Sequence, residues 1–124
     1  MIQGIEHTAI AAKDVERLAA FYVQTLGFQI NHRGKTAIFV KASDGSMIEI
    51  IPADGEAAEA TLKTPGIRHL ALTVTGFEAE CERLTKAGVT FLEPPVVKGG
   101  NKLVFFRDPE GNLLHLIERT TPLP

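Results

Sequence analysis

The chain has little cysteine, little net charge and no long apolar run, and each of these features excludes a class of protein or partner. The single cysteine, Cys81, cannot form a disulfide within the chain, so a disulfide framework is excluded. No apolar stretch approaches the roughly 20 residues that a membrane-spanning helix needs. The first residues show neither the basic start nor the apolar stretch of a secretory signal. These features predict a cytoplasmic protein without a membrane partner.

The charge pattern excludes a further class of partner. The net charge is −2, and acidic and basic residues are interspersed along the chain. No basic stripe is available to hold a phosphate backbone, so we expect no nucleic-acid partner. At 124 residues, with 44% hydrophobic and 23% charged residues, the chain has the size and composition of one globular domain.

The most informative feature is an internal repeat. Residues 4–10, Gly-Ile-Glu-His-Thr-Ala-Ile, recur as residues 66–72, Gly-Ile-Arg-His-Leu-Ala-Leu. Further along, residues 38–41 match residues 104–107. Each copy occupies about half of the chain, so the pattern indicates a duplicated unit and not a solenoid.

Each copy is predicted to form a strand, a helix and three more strands. In the first copy a helix begins after Asp14, a typical N-cap residue, and ends at Gly27. In the second copy apolar residues spaced from Phe77 predict a helix that ends at Gly88. Besides the opening strand of the second copy, strands are predicted over residues 5–11, 28–33, 36–41, 46–51, 90–93, 102–107 and 112–118.

We therefore expect an α+β fold of two βαβββ modules within a single domain of residues 1–124. Module one covers about residues 1–52 and module two about residues 66–118. The connection, residues 53–65, is rich in Ala, Glu, Gly and Pro, and a short helix is expected there.

Four polar residues occupy repeat-equivalent positions on the predicted strands. His7 corresponds to His69, and Glu49 corresponds to His115. Because strand side chains alternate between faces, each histidine of an opening strand shares its face with small residues, which leaves a hollow. Three imidazoles and one carboxylate suit Zn, Ni, Co, Mn or Fe(II). The sequence thus predicts one divalent metal ion bound by these four side chains, whereas His32, beside a hairpin turn, lies outside the set.

Each of these residues, taken singly, also has an ordinary structural interpretation. A lone strand histidine is more often a packed or surface residue than a ligand, and Glu49 alone would fit an exposed sheet face. The placement of all four at equivalent positions favours the metal site.

Several motifs link the whole chain to a known superfamily. They are His7 on the opening strand, Phe21-Tyr22 followed by Leu26-Gly27-Phe28, Ile48-Glu49-Ile50, Gly66-Ile67-Arg68-His69 and Asp108-Pro109-Glu110-Gly111-Asn112. With these motifs the chain resembles the vicinal oxygen chelate superfamily, which includes glyoxalase I, methylmalonyl-CoA epimerase, extradiol dioxygenases, and fosfomycin and bleomycin resistance proteins. The resemblance implies curved sheets around a cavity that contains the metal, commonly in a homodimer.

Within that superfamily, bacterial glyoxalase I is the most similar in pattern. Residues 95–100 resemble the loop before its penultimate strand. In that enzyme the fourth ligand is normally a glutamate, but here His115 holds the position and Glu118 follows on the other face. Two positions that contact glutathione in that family correspond to Ala11 and Ala53, which makes glutathione a less expected substrate.

The function that fits best is a metal-dependent, glyoxalase-like lyase or isomerase acting on a small oxygen-bearing substrate. It would move a proton next to a carbonyl, with Glu49 as the catalytic base and metal-bound water as the substitute. One alternative is an Fe(II)-dependent extradiol-type dioxygenase that uses His7, His69 and Glu49. Another is a non-catalytic drug-binding or ligand-binding protein of the bleomycin resistance type. We expect a homodimer, because a second copy would cover exposed edge strands that could otherwise pair with other chains.

Overall fold

Both copies of the repeat form a strand, a helix and three more strands in the computed structural model, which describes residues 1–124 in full. Residues 1–58 make up one compact unit and residues 59–124 a second. Each unit contains one four-stranded sheet and one α-helix. The α+β class and the two βαβββ modules are therefore confirmed.

The first unit is built around a mixed sheet with the spatial order β1-β4-β3-β2. Its elements are β1 (His7–Ala12), α1 (Val15–Ala20) with a π-helical continuation (Phe21–Thr25), β2 (Gln29–Arg33), β3 (Ile38–Lys41) and β4 (Met47–Pro52). The first and last strands run parallel, whereas the other neighbours are antiparallel. A parallel pair needs a long crossover, which the helix and the two intervening strands supply here.

Local sequence explains where the first helix begins and ends. The Asp14 side chain accepts a hydrogen bond of 3.0 Å from the Arg17 backbone N–H and so caps the first turn. The wider π-helical turn places Tyr22 in the core with none of its surface exposed. The helix then stops at Gly27, which has a φ of 85° that favours glycine.

The core of the first unit lies on one face of its sheet. The α1 helix packs against β1, β3 and β4. The buried side chains are Ile10, Ala12, Leu18, Ala19, Tyr22, Ile38, Val40, Ile48 and Ile50. Because the strand residues among them alternate in sequence, the intervening residues, including His7 and Glu49, lie on the opposite face.

The second unit repeats the design with the order β5-β8-β7-β6. Its elements are β5 (Leu70–Thr73), α2 (Phe77–Lys86), β6 (Val96–Lys98), β7 (Asn101–Arg107) and β8 (Leu113–Glu118). The first and last strands are again parallel. Its buried residues include Phe77, Leu84, Val104, Phe106, Leu114 and Leu116.

Three local predictions are wrong. Residues 90–93 form no strand, and Phe91 makes only an isolated bridge to Phe106. The strand beside β7 is instead Val96–Lys98, within the segment predicted as a loop, because a tight glycine turn lets it pair back. The connection at residues 53–65 contains turns but no helix.

The turn between β6 and β7 consists of two glycines with left-handed backbone angles. Gly99 has a φ of 59° and Gly100 a φ of 81°. The Thr120 hydroxyl donates a hydrogen bond of 2.6 Å to the Gly100 carbonyl. A Cβ atom on Gly100 would overlap that hydroxyl, whereas one on Gly99 would meet nothing within 4 Å.

The two glycines give a matched test of this packing. We expect Gly99→Ala to lower the free energy of unfolding by about 1 kcal/mol, the cost of a left-handed alanine. Gly100→Ala should cost about 2–3 kcal/mol, because the overlap also breaks the Thr120 hydrogen bond. Urea unfolding of both full-length variants measures the difference. Equal losses would contradict the proposed contact.

Candidate functional site

In the first unit, His7 and Glu49 lie on neighbouring parallel strands. Glu49 is the register partner of Ala9, so it sits one side-chain step from His7 on the same face. His7 Nε2 is 3.7 Å from Glu49 Oε1, beyond hydrogen-bond distance. The two side chains are 36% and 26% exposed, so Glu49 is half-buried and not fully buried as a core charge would be. Phe39 supports the histidine ring edge-on at 5.4 Å.

The His7 ring makes a hydrogen bond with the preceding residue, Glu6, through the ring nitrogen that does not face Glu49. His7 Nδ1 lies 2.9 Å from Glu6 Oε1. A carboxylate can only accept, so Nδ1 donates this hydrogen bond, and in the neutral ring the lone pair then belongs to Nε2 on the side of Glu49. Carboxylates often orient metal-binding histidines in this way. Sequence reasoning missed Glu6; its signal was an acidic residue directly before the histidine, where the second copy has Arg68.

In the second unit, His69 and His115 come together. His69 directly precedes β5, and His115 on β8 is the register partner of Ala71. Their ring centroids are 4.7 Å apart. Phe105 packs beside both rings, with centroids 4.8 Å from His115 and 5.7 Å from His69.

The environment of His115 favours a neutral ring with a defined tautomer. Its Nδ1 lies 3.2 Å from the Leu116 carbonyl oxygen, which can only accept, so the lone pair again belongs to Nε2. Burial lowers the pKa of His115 below its ordinary value, and the hydrogen bond to Leu116 partly offsets this. The charges of His69 and Arg119 lower the pKa further. A neutral imidazole is the form that binds a metal or accepts a proton.

The structure thus brings the predicted residues together as two pairs, one within each unit. No group of three or more histidine, cysteine, aspartate or glutamate side chains lies close enough to hold one metal ion. The donor chemistry of both pairs nevertheless suits a divalent transition metal, since imidazole nitrogen and carboxylate oxygen are its common ligands. His32 belongs to neither pair; its ring packs against Phe39 at 5.8 Å, the same ring that supports His7.

Glu118 has a structural role in the second unit. The β7 and β8 strands pair without interruption from Lys102 opposite Glu118 to Arg107 opposite Leu113, so no bulge turns Glu118 towards His115. Its Oε1 accepts a hydrogen bond of 2.8 Å from the Gly76 N–H at the start of α2. Glu118 therefore anchors the helix from the other face of the sheet.

Comparison with known proteins identifies what the chain is similar to. The family profile described as "Glyoxalase/Bleomycin resistance protein/Dioxygenase superfamily" matches residues 4–116. A probable lactoylglutathione lyase of Vibrio cholerae is 29% identical over 92% of this chain and 89% of its own length. An ethylmalonyl-CoA/methylmalonyl-CoA epimerase of Cereibacter sphaeroides is 31% identical over 90% and 93%. The crystal structure of a glyoxalase family protein from Enterococcus faecalis superimposes with a TM-score of 0.80 and 30% identity, covering 94% of this chain and 98% of that one.

No helix has both the length and the apolar character needed to cross a membrane. Cys81 is partly exposed on α2, and burial raises the pKa of its thiol above the ordinary value, so the less reactive thiol form is favoured.

The contact between Glu6 and His7 can be tested without a metal. We expect Glu6→Ala to release the ring, so that the proton is shared between Nδ1 and Nε2. The ¹⁵N chemical shifts of the two His7 ring nitrogens, which differ strongly between tautomers, should converge. Glu16→Ala is the control, because Glu16 pairs with Arg33 elsewhere in the unit. Unchanged His7 shifts in Glu6→Ala would show that Glu6 does not set the tautomer.

Proposed function

This chain belongs to the Glyoxalase/Bleomycin resistance protein/Dioxygenase superfamily, and we propose that it is a metal-dependent lyase or isomerase. It acts on a small substrate by moving a proton next to a carbonyl group. The observation that carries the proposal is the pairing of His7 with Glu49 and of His69 with His115 at repeat-equivalent positions. The relatives named as a lyase and as an epimerase support the reaction class.

The proposed metal ligands are His7, Glu49, His69 and His115, which together bind one divalent ion. When bound, the ion supplies positive charge that stabilises a negative substrate oxygen. The tautomers support these roles. Glu6 and the Leu116 carbonyl each hold one ring nitrogen and leave Nε2 of His7 and of His115 with its lone pair.

Glu49 is the proposed base because it is the only carboxylate among the four. Its half-buried position beside Phe39 shields the carboxylate from much of the solvent, which strengthens its interactions. Ala9 and Ala11 are small, exposed residues on the same face, so a substrate could approach the carboxylate there. The proton would pass from that carbon to a Glu49 oxygen and back to a neighbouring carbon.

Single substitutions test the ligand set. His7→Ala, His69→Ala and His115→Ala should each weaken zinc binding by more than about tenfold, because even a group that merely hydrogen-bonds a ligand contributes that much. His32→Ala is the matched control and should bind zinc like the parent chain. Competition with a chromophoric chelator measures the affinity. Unchanged binding in any one of the three variants would remove that residue from the set.

A second pair of variants separates the base from the structural carboxylate. Glu49→Gln should lower kcat by about a hundredfold or more while zinc is retained, because an amide oxygen can still bind a metal but cannot take a proton. Glu118→Gln should be near neutral, since its amide oxygen still accepts the Gly76 N–H. Substrates come from a screen of α-ketoaldehyde–thiol adducts and acyl-CoA epimers. An active Glu49→Gln enzyme would exclude Glu49 as the base.

The proposal includes a homodimer. Each sheet has two edge strands, and the large side chains of Ile5 and Ile67, just before the opening strands, are 89% and 85% exposed. Water contact at these positions is unfavourable, and a second copy would cover them. Sedimentation at micromolar concentration should therefore give twice the chain mass. A clean 13.4 kDa monomer would contradict the proposal.

Mixing variants then shows how the two pairs combine. His7→Ala and His115→Ala chains are unfolded together and refolded. If ligands come from two chains, about one site in four regains all of its donors, whereas none does if the ligands come from one chain. Zinc affinity of the mixture, compared with each variant alone, gives the answer.

A further inference from the structure

The second unit contains a cavity that the proposed metal site does not use. Its volume is about 550 Å³, within the range of pockets that bind small molecules. It lies where β5 and β8 end, and Pro122 and Leu123 are among the residues that line it. Three hydroxyl-bearing residues, Thr73, Thr75 and Thr120, also line it.

The cavity lies at the end of the sheet and adjoins the face that carries the histidine pair, while Lys102 and Glu118 line it from the other face. On β8, Ile117 is one side-chain step beyond His115. On β5, Thr73 is the register partner of Ile117, just as Ala71 is the partner of His115. A two-residue step along a strand covers about 7 Å. A molecule that begins at the histidine pair can therefore reach the cavity along one sheet face.

Most charged groups around the cavity are already paired. Lys102 forms an ion pair with Glu78, and the Glu118 carboxylate accepts the Gly76 N–H. Arg119, in contrast, makes no hydrogen bond or ion pair with the protein, although it lines the cavity. It is also close enough to His115 for its charge to act there.

Two further donors near Arg119 have no protein partner. The hydroxyl groups of Thr73 and Thr75 line the cavity without a hydrogen bond, whereas the Thr120 hydroxyl is occupied by Gly100. The remaining wall is apolar, with Ile117, Pro122 and Leu123 as its main side chains. The cavity therefore offers hydrogen-bond donors and the unpaired Arg119 guanidinium beside an apolar surface, with the hydrogen-bonded Glu118 carboxylate also in its lining.

We propose that this cavity binds the carboxylate end of the substrate through Arg119, Thr73 and Thr75. A guanidinium group matches a carboxylate with two parallel hydrogen bonds, and the hydroxyls can donate to the same oxygens. The substrate class is then a small molecule with adjacent oxygens at one end, a carboxylate at the other, and a short apolar segment over Ile117. The role of the adjacent oxygens rests on the proposed function. The carboxylate site follows from the residues that line the cavity and does not depend on the metal.

The test uses butyrate as a probe and the full chain, freed of metal with EDTA and then dialysed so that butyrate cannot bind an ion. Butyrate should shift the backbone amide resonances of Thr73, Thr75 and Arg119. Butyramide, which has the same shape without the charge, should bind at least about fivefold more weakly. Arg119→Gln should weaken butyrate binding by a similar factor, and Thr73→Val should weaken it less.

Lys98→Gln is the control, because Lys98 is an exposed lysine on β6 that does not line the cavity. It should leave butyrate binding unchanged. Equal binding of butyrate and butyramide, or an equal loss in Lys98→Gln and Arg119→Gln, would overturn the carboxylate site. Because no metal is present in this experiment, its result does not depend on whether the metal proposal is right. A failure to bind butyrate would likewise leave the metal proposal unaffected.

Discussion

The arrangement of each unit depends on the parallel pairing of its first and last strands. The β1 strand pairs with β4, and β5 pairs with β8, in the same sense and with nearly equivalent registers. A parallel pair cannot be closed by a tight turn, so the helix and the middle strands are the crossover that makes it possible. In each unit this pairing brings a histidine at or just before the opening strand close to a potential metal ligand on the last strand. These are His7 with Glu49 and His69 with His115. The core on the opposite face then holds that geometry in place.

The two pairs reach a similar tautomeric state by different means. Glu6, an exposed carboxylate, holds His7, whereas the Leu116 carbonyl holds the buried ring of His115. The first pair contains a carboxylate and is partly open to solvent. The second contains two imidazoles packed against Phe105. The two copies share one frame, and the residues that differ between them give one pair a carboxylate and the other pair two imidazoles.

Most of the correct predictions came from the internal repeat and from the alternation of side chains along the strands. Equivalent positions in the two copies gave the βαβββ order, and parity separated His115 from Glu118. The pattern failed at residues 90–93, where apolar residues suggested a strand, because pairing to β7 is decided by the glycine turn at Gly99 and Gly100. Glu6 was missed because its role depends on a side-chain contact. The cavity beside Arg119 was missed because it is formed by segments distant in sequence.

The most direct test of the metal assignment is X-ray absorption spectroscopy on the zinc-loaded or cobalt-loaded protein. The spectrum reports both the number of donor atoms and how many belong to imidazole rings. We expect one metal ion per chain, with about three imidazole nitrogens, one carboxylate oxygen and water completing the shell. A shell without imidazole scattering, or an ion bound well below one per chain, would contradict the metal site on which the proposed function rests.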